Sequence, residues 1–258
     1  MKIASFNVNS IRARLGILLD WLAKESPDVL CVQETKVVDT DFPQSAFQDV
    51  HYNVVFRGEK GYNGVAIFSK AVMQHVRFGF DENETYGTRI VTATINKVPI
   101  VNTYIPQGFH PLSKQFREKL DWFQMLYDYF NNNFSPEKSL LWLGDFNVAP
   151  EAIDVHNPEK LLGQVGYHPD EHAALQRFNK WGFVDVFRMH QSGPEEYSFW
   201  DYRVKNAVKR NIGWRVDHIW ATKPLAKKSF NAWIDIEPRL KEKPSDHTPI
   251  VAEFNIRK

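Results

Sequence analysis

The chain of 258 residues carries 32 Lys and Arg against 31 Asp and Glu, a formal net charge of +1. The whole-molecule field cannot draw in a polyanion, so binding one requires positive charge gathered locally. A single cysteine rules out an intramolecular disulfide. No apolar run approaches membrane-spanning length, and no signal pattern precedes the first strand-like run, so a soluble protein of a reducing, cytoplasmic compartment is expected, with no membrane partner.

Lys2 to Val8 reads as a strand ending in Asn7-Val8-Asn9-Ser10. Ser10 is placed to cap a helix running to about Lys24, with Leu15, Leu18, Leu19 and Leu22 spaced for its buried face. Ser26-Pro27-Asp28 stops that helix. Val29 to Val32 is a second buried strand, with Cys31 as a core thiol, and it ends at Gln33-Glu34-Thr35-Lys36. Tyr52 to Phe56, Val65 to Ser69, His75 to Phe78, Ile90 to Ile95 and Ile100 to Tyr104 are predicted strands. Asn96-Lys97-Val98-Pro99 connects the last two as a hairpin. Gly58, Gly61 and Gly64 form a glycine-rich loop, but no Gly-Lys-Ser/Thr follows, which argues against a P-loop.

Ser113 to about Asn133 is the strongest helix. Phe116, Leu120, Phe123, Tyr127 and Phe130 recur at alternating spacings of four and three, a packing stripe. Ser139 to Leu143 is apolar and of strand length, and Gly144 then allows a sharp turn. Asp145 and Asn147 follow two residues apart, which on extended backbone sends both to one face. Val148 to Asp170 is irregular, and a helix covers roughly Asp170 to Trp181. His168 and His172 lack the glutamate of a zincin pattern and read as surface histidines. Between Arg203 and Arg215 there are five basic residues and no acidic one. Val216 to Trp220, Trp233 to Ile236 and Ile250 to Phe254 are the closing strands. With no linker and no repeat, residues 1–258 are expected to form a single α/β domain with mixed sheets.

The polar residues at strand ends form a set: Asn7 and Asn9, Glu34, Tyr104, Asp145 and Asn147, Asp217, Asp246 and His247. Packed sheets bring such ends to one rim. Glu34 and Asp246, with oxygen from Asn7 or Asn9, suit a hard cation such as Mg2+ better than zinc, because thiolate and multiple histidine ligands are missing. His247 is the natural acid, base or transition-state donor, oriented by Asp217 or Asp246. Without a Gly-x-Ser-x-Gly elbow, metal-assisted attack by water is favoured over a covalent intermediate. Each residue also has a structural role open to it: Asp217 could pair with Arg215, and Asp246-His247-Thr248-Pro249 could be a simple turn.

Asn7-Val8-Asn9-Ser10-Ile11-Arg12-Ala13, Gln33-Glu34-Thr35-Lys36 and Tyr104-Ile105-Pro106-Gln107-Gly108 occur in that order, followed by Gly144-Asp145-Phe146-Asn147-Val148-Ala149, Gly213-Trp214-Arg215-Val216-Asp217 and Ser245-Asp246-His247. The set resembles the exonuclease III family of apurinic/apyrimidinic (AP) endonucleases, within the endonuclease/exonuclease/phosphatase superfamily. That resemblance implies a four-layer sandwich of two mixed β-sheets face to face with helices outside. It implies cleavage of double-stranded DNA 5′ to an abasic site, trimming of blocked 3′ ends and 3′→5′ exonuclease activity, with Mg2+ as cofactor, Mn2+ substituting, and a monomeric enzyme.

By the same resemblance, Glu34 is the main metal ligand, with Asn7, Asn9 and Asp246 nearby. Asp145 activates water or protonates the leaving oxygen, Asn147 positions it, Tyr104 contacts the phosphate, and His247 paired with Asp217 donates to the developing charge. Whether Asp145 or Tyr104 is the base stays open. Asn7, Lys36, Gln107, Arg203, Lys205, Lys209 and Arg210 are expected to touch DNA, and Phe199, Trp214 and Val216 to wall a pocket for a flipped, baseless deoxyribose. Two other classes share parts of the pattern. A phosphoinositide or sphingomyelin phosphatase would keep Glu34, Asp145, Asn147, Asp217 and His247, but would tend to carry His where Tyr104 stands. A catalytically dead nucleic-acid-binding module would have lost a core residue, and none is lost.

Overall fold

The computed structural model of the protein describes residues 1–256. Strands with apolar residues on both faces form two six-stranded sheets. The first takes β1 (Lys2–Asn7), β2 (Val29–Gln33), β3 (Asn53–Arg57) and β4 (Val65–Ser69) from the N-terminal part of the chain. The second is built from β5 (Gln74–Phe78), β6 (Ile90–Ile95), β7 (Val98–Tyr104), β8 (Leu141–Asp145), β9 (Phe183–Asp185) and β10 (Asp217–Thr222). The chain then returns to the first sheet with β11 (Ser229–Ile234) and β12 (Ile250–Phe254). The orders are β11-β12-β1-β2-β4-β3 and β5-β6-β7-β8-β10-β9. β1 pairs β2 in parallel and β7 pairs β8 in parallel, while the other pairs are antiparallel.

Alternation along each strand explains the layering. Ile3, Val29, Cys31, Ile67, Ala93, Ile100, Leu141, Leu143 and Ile219 fill the space between the sheets. Phe6, Leu30, Val32 and Phe68 face outward onto helix α1 (Leu15–Glu25) and the short α2 (Gln44–Gln48). Val101, Trp142 and Trp220 face outward from the second sheet onto α3 (Lys114–Asn133) and α5 (Pro169–Trp181), which follows the one-turn α4 (Pro158–Leu161). The expected four-layer sandwich is present, and Cys31 is a fully buried core thiol. Two further short helices, α6 (Val186–His190) and α7 (Lys223–Ala226), flank β9 and β10 in sequence.

Several local expectations are corrected. Ser10 does not cap α1: residues 11–14 form a turn, and the helix begins at Leu15 without a side-chain cap. Ser113 does cap α3, accepting from the N–H of Phe116. Val98 and Pro99 belong to β7, so the hairpin connection is only Asn96-Lys97, both left-handed. Gly144 does not turn the chain. It lies inside β8, where a Cβ would stand 1.9 Å from the carbonyl oxygen of Thr103 on β7. His168 caps α5 and His172 reaches the carbonyl of Ala149, so both hold structure and are half-buried.

Candidate active site

The C-terminal ends of β1, β2, β7 and β8 and the N-terminal ends of β10 and β12 meet on one rim. Register makes this compulsory: Asp145 stands opposite Tyr104 across β7–β8 and opposite Asp217 across β8–β10. From the first sheet, Asn7 reaches across the gap. Its Nδ2 donates to Glu34 Oε1 at 2.7 Å and to Asp145 Oδ2 at 2.8 Å, and its Oδ1 accepts from the N–H of Asn9. Asn7 therefore spaces two carboxylates, and its oxygen is turned away from them. Asn9 likewise buttresses: its amide donates to Asp246 Oδ1 at 2.9 Å, and its oxygen accepts from Lys36 Nζ at 2.5 Å.

Asn9, Ser10, Glu34, Lys36 and Asn147 all have φ between +43° and +90°. Left-handed backbone at non-glycine residues is costly, and here it clusters where the surrounding hydrogen bonds hold it. Asn147 is therefore not on extended backbone as expected. Its N–H donates to Asp145 Oδ1 at 2.9 Å and its side-chain amide donates to the carbonyl of Ile105.

His247 lies between two carboxylates. Its Nδ1 is 2.8 Å from Asp217 Oδ2, and its Nε2 is 3.8 Å from Asp145 Oδ2. Burial alone would lower the imidazole pKa, but Asp217 and Asp145 overcome it and push the value up to about 10. The two carboxylates thus favour the protonated ring, with Nδ1 on Asp217 and Nε2 on the Asp145 side. Burial raises Asp145 to about 7, against the attraction of His247 and with the repulsion of Asp217 and Glu34 adding to the rise. Burial and the neighbouring Glu34 and Asp145 hold the Tyr104 hydroxyl well above its ordinary value, although the Arg89 guanidinium lies 4.7 Å from its ring. For Glu34, burial works against ionisation, yet the Lys36 ammonium, 2.6 Å from Oε2, and the Asn7 amide bring the carboxyl below its usual range.

These groups open onto a cleft of about 600 Å³ lined by Phe199, Trp214 and Val216, with Gln107, Arg203 and Asp246 at its edges. The bridge that assembles the wall was invisible in the sequence. Phe199 pairs with Trp214 on one side and His247 on the other, and the Phe199 ring lies 4.8 Å from the His247 ring. Ser198 was also missed: its hydroxyl accepts from the N–H groups of Val216 and Asp217, both at 3.1 Å, and so sets Asp217 under His247. Phe109, exposed at the cleft mouth beside the left-handed Gly108, was missed as well, as was His156 on the far wall.

Arg203, Lys205, Lys209 and Arg210 are exposed on the expected basic loop, with Arg203 paired to Asp201 at 2.6 Å. Arg215 is not part of that surface. It is fully buried, bidentate to Asp154 and 2.8 Å from Asp185, so it does not pair with Asp217 either.

Residues 4–247 match the endonuclease/exonuclease/phosphatase family. The chain belongs to that family. An exodeoxyribonuclease III of Haemophilus influenzae is 34% identical, covering 98% of this chain and 100% of its own length. An exodeoxyribonuclease of Bacillus subtilis is 33% identical over 99% of this chain and 100% of its own. Among solved structures, an AP endonuclease from Archaeoglobus fulgidus superimposes with a TM-score of 0.96 at 46% identity, covering 99% of this chain and 100% of the other. A 3′-5′ exonuclease from Neisseria meningitidis does so with a TM-score of 0.94 at 35% identity, over 98% and 99%.

The donor set suits the metal dependence of the family. Glu34, Asp145 and His247 offer atoms within 4.8 Å of one another, but Nδ1 of His247 is taken up by Asp217, which leaves mainly oxygen donors. The ammonium of Lys36 against Glu34 shows that the position beside this carboxylate takes a cation. Glu34, with Asp246 lining the same cleft, therefore fits a hard divalent ion. No helix among the described residues is long and apolar enough to cross a membrane.

Proposed function

We propose that the chain is a DNA-repair nuclease, a monomer of the cytoplasm, that uses Mg2+, or Mn2+ in its place, to hydrolyse the phosphodiester 5′ to an abasic site in double-stranded DNA. The same site would trim blocked 3′ ends and act as a 3′→5′ exonuclease. The observation that carries this reading is the placement of His247 between Asp217 and Asp145 at the head of an aromatic-walled cleft. A bound Mg2+ would be held by Glu34 and Asp246, and would neutralise negative charge on the scissile phosphate.

The protein groups divide the remaining work. Asp145, poised near neutrality, takes a proton from the attacking water, while Tyr104 keeps its own and donates to the phosphate. As the pentavalent charge builds, the Nε2–H of His247 donates to a phosphoryl oxygen, its ring orientation held by Asp217. The bond from phosphorus to the 3′-oxygen breaks, and the proton taken up by Asp145 passes to that oxygen, leaving a 3′-hydroxyl and a 5′-phosphate on the abasic side. Phe199, Trp214 and Val216 receive the flipped deoxyribose, and a retained base would collide with the rings. Phe109 stands at the mouth as an apolar wedge, and Lys36, Gln107, Arg203, Lys205, Lys209 and Arg210 line the path of the backbone.

The test is cleavage of matched abasic, 3′-phosphate-blocked and intact duplexes with and without Mg2+. Glu34→Gln should abolish Mg2+-dependent cleavage and divalent-ion binding while the thermal transition stays in place. Unchanged Mg2+ dependence in that variant would remove Glu34 from the metal site.

A further inference from the structure

Beneath the cleft, outside the machinery just described, lies a buried ion pair between α3 and α5. Lys119 and Glu171 are both fully buried, with Nζ 2.5 Å from Oε1. Packing alone does not call for two charges here, since apolar residues of similar volume usually serve as well or better. What distinguishes the pair is where its other hydrogen bonds go. Lys119 Nζ donates to the carbonyl of Asn147 at 2.8 Å and to that of Gln107 at 3.2 Å. Glu171 Oε2 accepts from the N–H of Gly166 at 2.8 Å and of His168 at 3.1 Å. Asn147, Gln107 and Gly166 all line the cleft, on three separate segments.

We infer that Lys119 is a positioning residue for the nuclease reaction, acting through Asn147 with Glu171 as its fixed counter-charge. Asn147 sits at φ +52°, and its N–H donates to Asp145 Oδ1. Residue 147 thus links the ammonium, bound at its carbonyl, to the carboxylate proposed as base, bound at its N–H. Asn has no intrinsic reason to hold that conformation beyond a modest tolerance for it. The ammonium fixes its carbonyl, alongside the bonds that its N–H makes to Asp145 and its side chain to Ile105. The same cation fixes the Gln107 carbonyl, so the segments after β7 and β8 are clamped to a common point and cannot drift apart when DNA enters. Misplacement of a reacting group by about 1 Å from a distant change can cost about 10²-fold in rate.

This inference rests on the nuclease reading, and the experiment separates the two. Wild-type protein cleaving none of the three duplexes above would dismiss that reading rather than this one. On active wild type, Lys119→Met combined with Glu171→Gln removes both charges together and keeps an acceptor oxygen for Gly166 and His168. Should that variant not fold, Lys119→Gln with Glu171→Gln replaces it, retaining a donor of similar length. Either pair should lower kcat on the abasic duplex by roughly 10- to 100-fold with KM within about twofold. Combined with Asn147→Ala, it should add little to the loss that Asn147→Ala causes alone, because both act on one element. A folded double variant with wild-type kcat, an effect confined to KM, or losses that multiply with Asn147→Ala would each overturn the assignment.

Discussion

Asp217 gives Oδ2 to His247, and its Oδ1 is buried without a hydrogen-bond partner. Its placement comes from the backbone, through the Ser198 hydroxyl on its N–H. Such a carboxylate serves to charge its neighbour, and that role is testable by pH. His247 is raised to about 10 partly by Asp217, so in the wild type its donor proton persists well above neutrality and is lost only as pH rises through that range. Asp217→Asn removes the charge, and the loss should begin at lower pH. The ratio of wild-type to variant kcat should therefore be larger at pH 9 than at pH 6, and a flat ratio would deny the pairing its role. Trp214 acts by shape. It lines the cleft half-buried, so Trp214→Ala should open room for a base and raise kcat/KM on base-bearing nucleotides relative to abasic ones. An unchanged ratio in a folded variant would place selectivity in DNA bending instead.

At the scale of elements, Arg215 joins β10 to the irregular 148–156 segment and to β9. It binds Asp154, Asp185 and His218, and His218 in turn meets the carbonyl of Val148 at 2.8 Å. Since Arg215 can only donate, His218 Nδ1 accepts, and its Nε2–H donates to Val148. Burial first, then Arg215, lowers His218 to about 4. A depressed pKa means that the unfolded chain, with its imidazole near 6.5, binds a proton that the folded one refuses. Stability from this group is complete above pH 6.5 and is lost as pH falls toward 4, by roughly 3 kcal/mol in all. Melting temperature followed from pH 7 to 4 should fall less steeply in His218→Gln, and the same slope in both would remove His218 from the linkage. The loop between α6 and β10 is an element in its own right. Tyr197, Trp200 and Ala207 give it a small core, and a Cβ on Gly213 would stand 2.6 Å from Tyr197 and from Trp200.

For the whole molecule, a net charge of +1 leaves DNA affinity to whatever cations the fold gathers near the cleft. Lys205, Lys209 and Arg210 are exposed on the structured loop beside it. Neutralising the three should flatten the dependence of duplex binding on salt, by about 0.9 in log–log slope for each phosphate that no longer meets a cation. An unchanged slope would leave the loop merely solvated.

The strands and long helices were legible in the sequence because their signals are local: alternation or a 3.6-residue stripe is enough to bury one face. The polar strand ends, Asn7, Glu34, Tyr104, Asp145, Asp217 and His247, were legible for the same reason, each standing where an apolar run stops. Their partnerships were not. Pairing of Arg215 with Asp154 and not with Asp217, Asn7 acting as a spacer, and Ser198 beneath Asp217 join residues 19 to 138 positions apart, brought together by sheet register with no local pattern announcing them. Gly144 shows the division most clearly. Its presence before Asp145 was plain, but that the adjacent strand's carbonyl excludes a side chain there followed only from the parallel pairing of β7 with β8. Long-range contact decides which polar groups are buried together, and it is the attraction of Asp217 and Asp145, set by that contact, that overcomes the burial of the His247 imidazole.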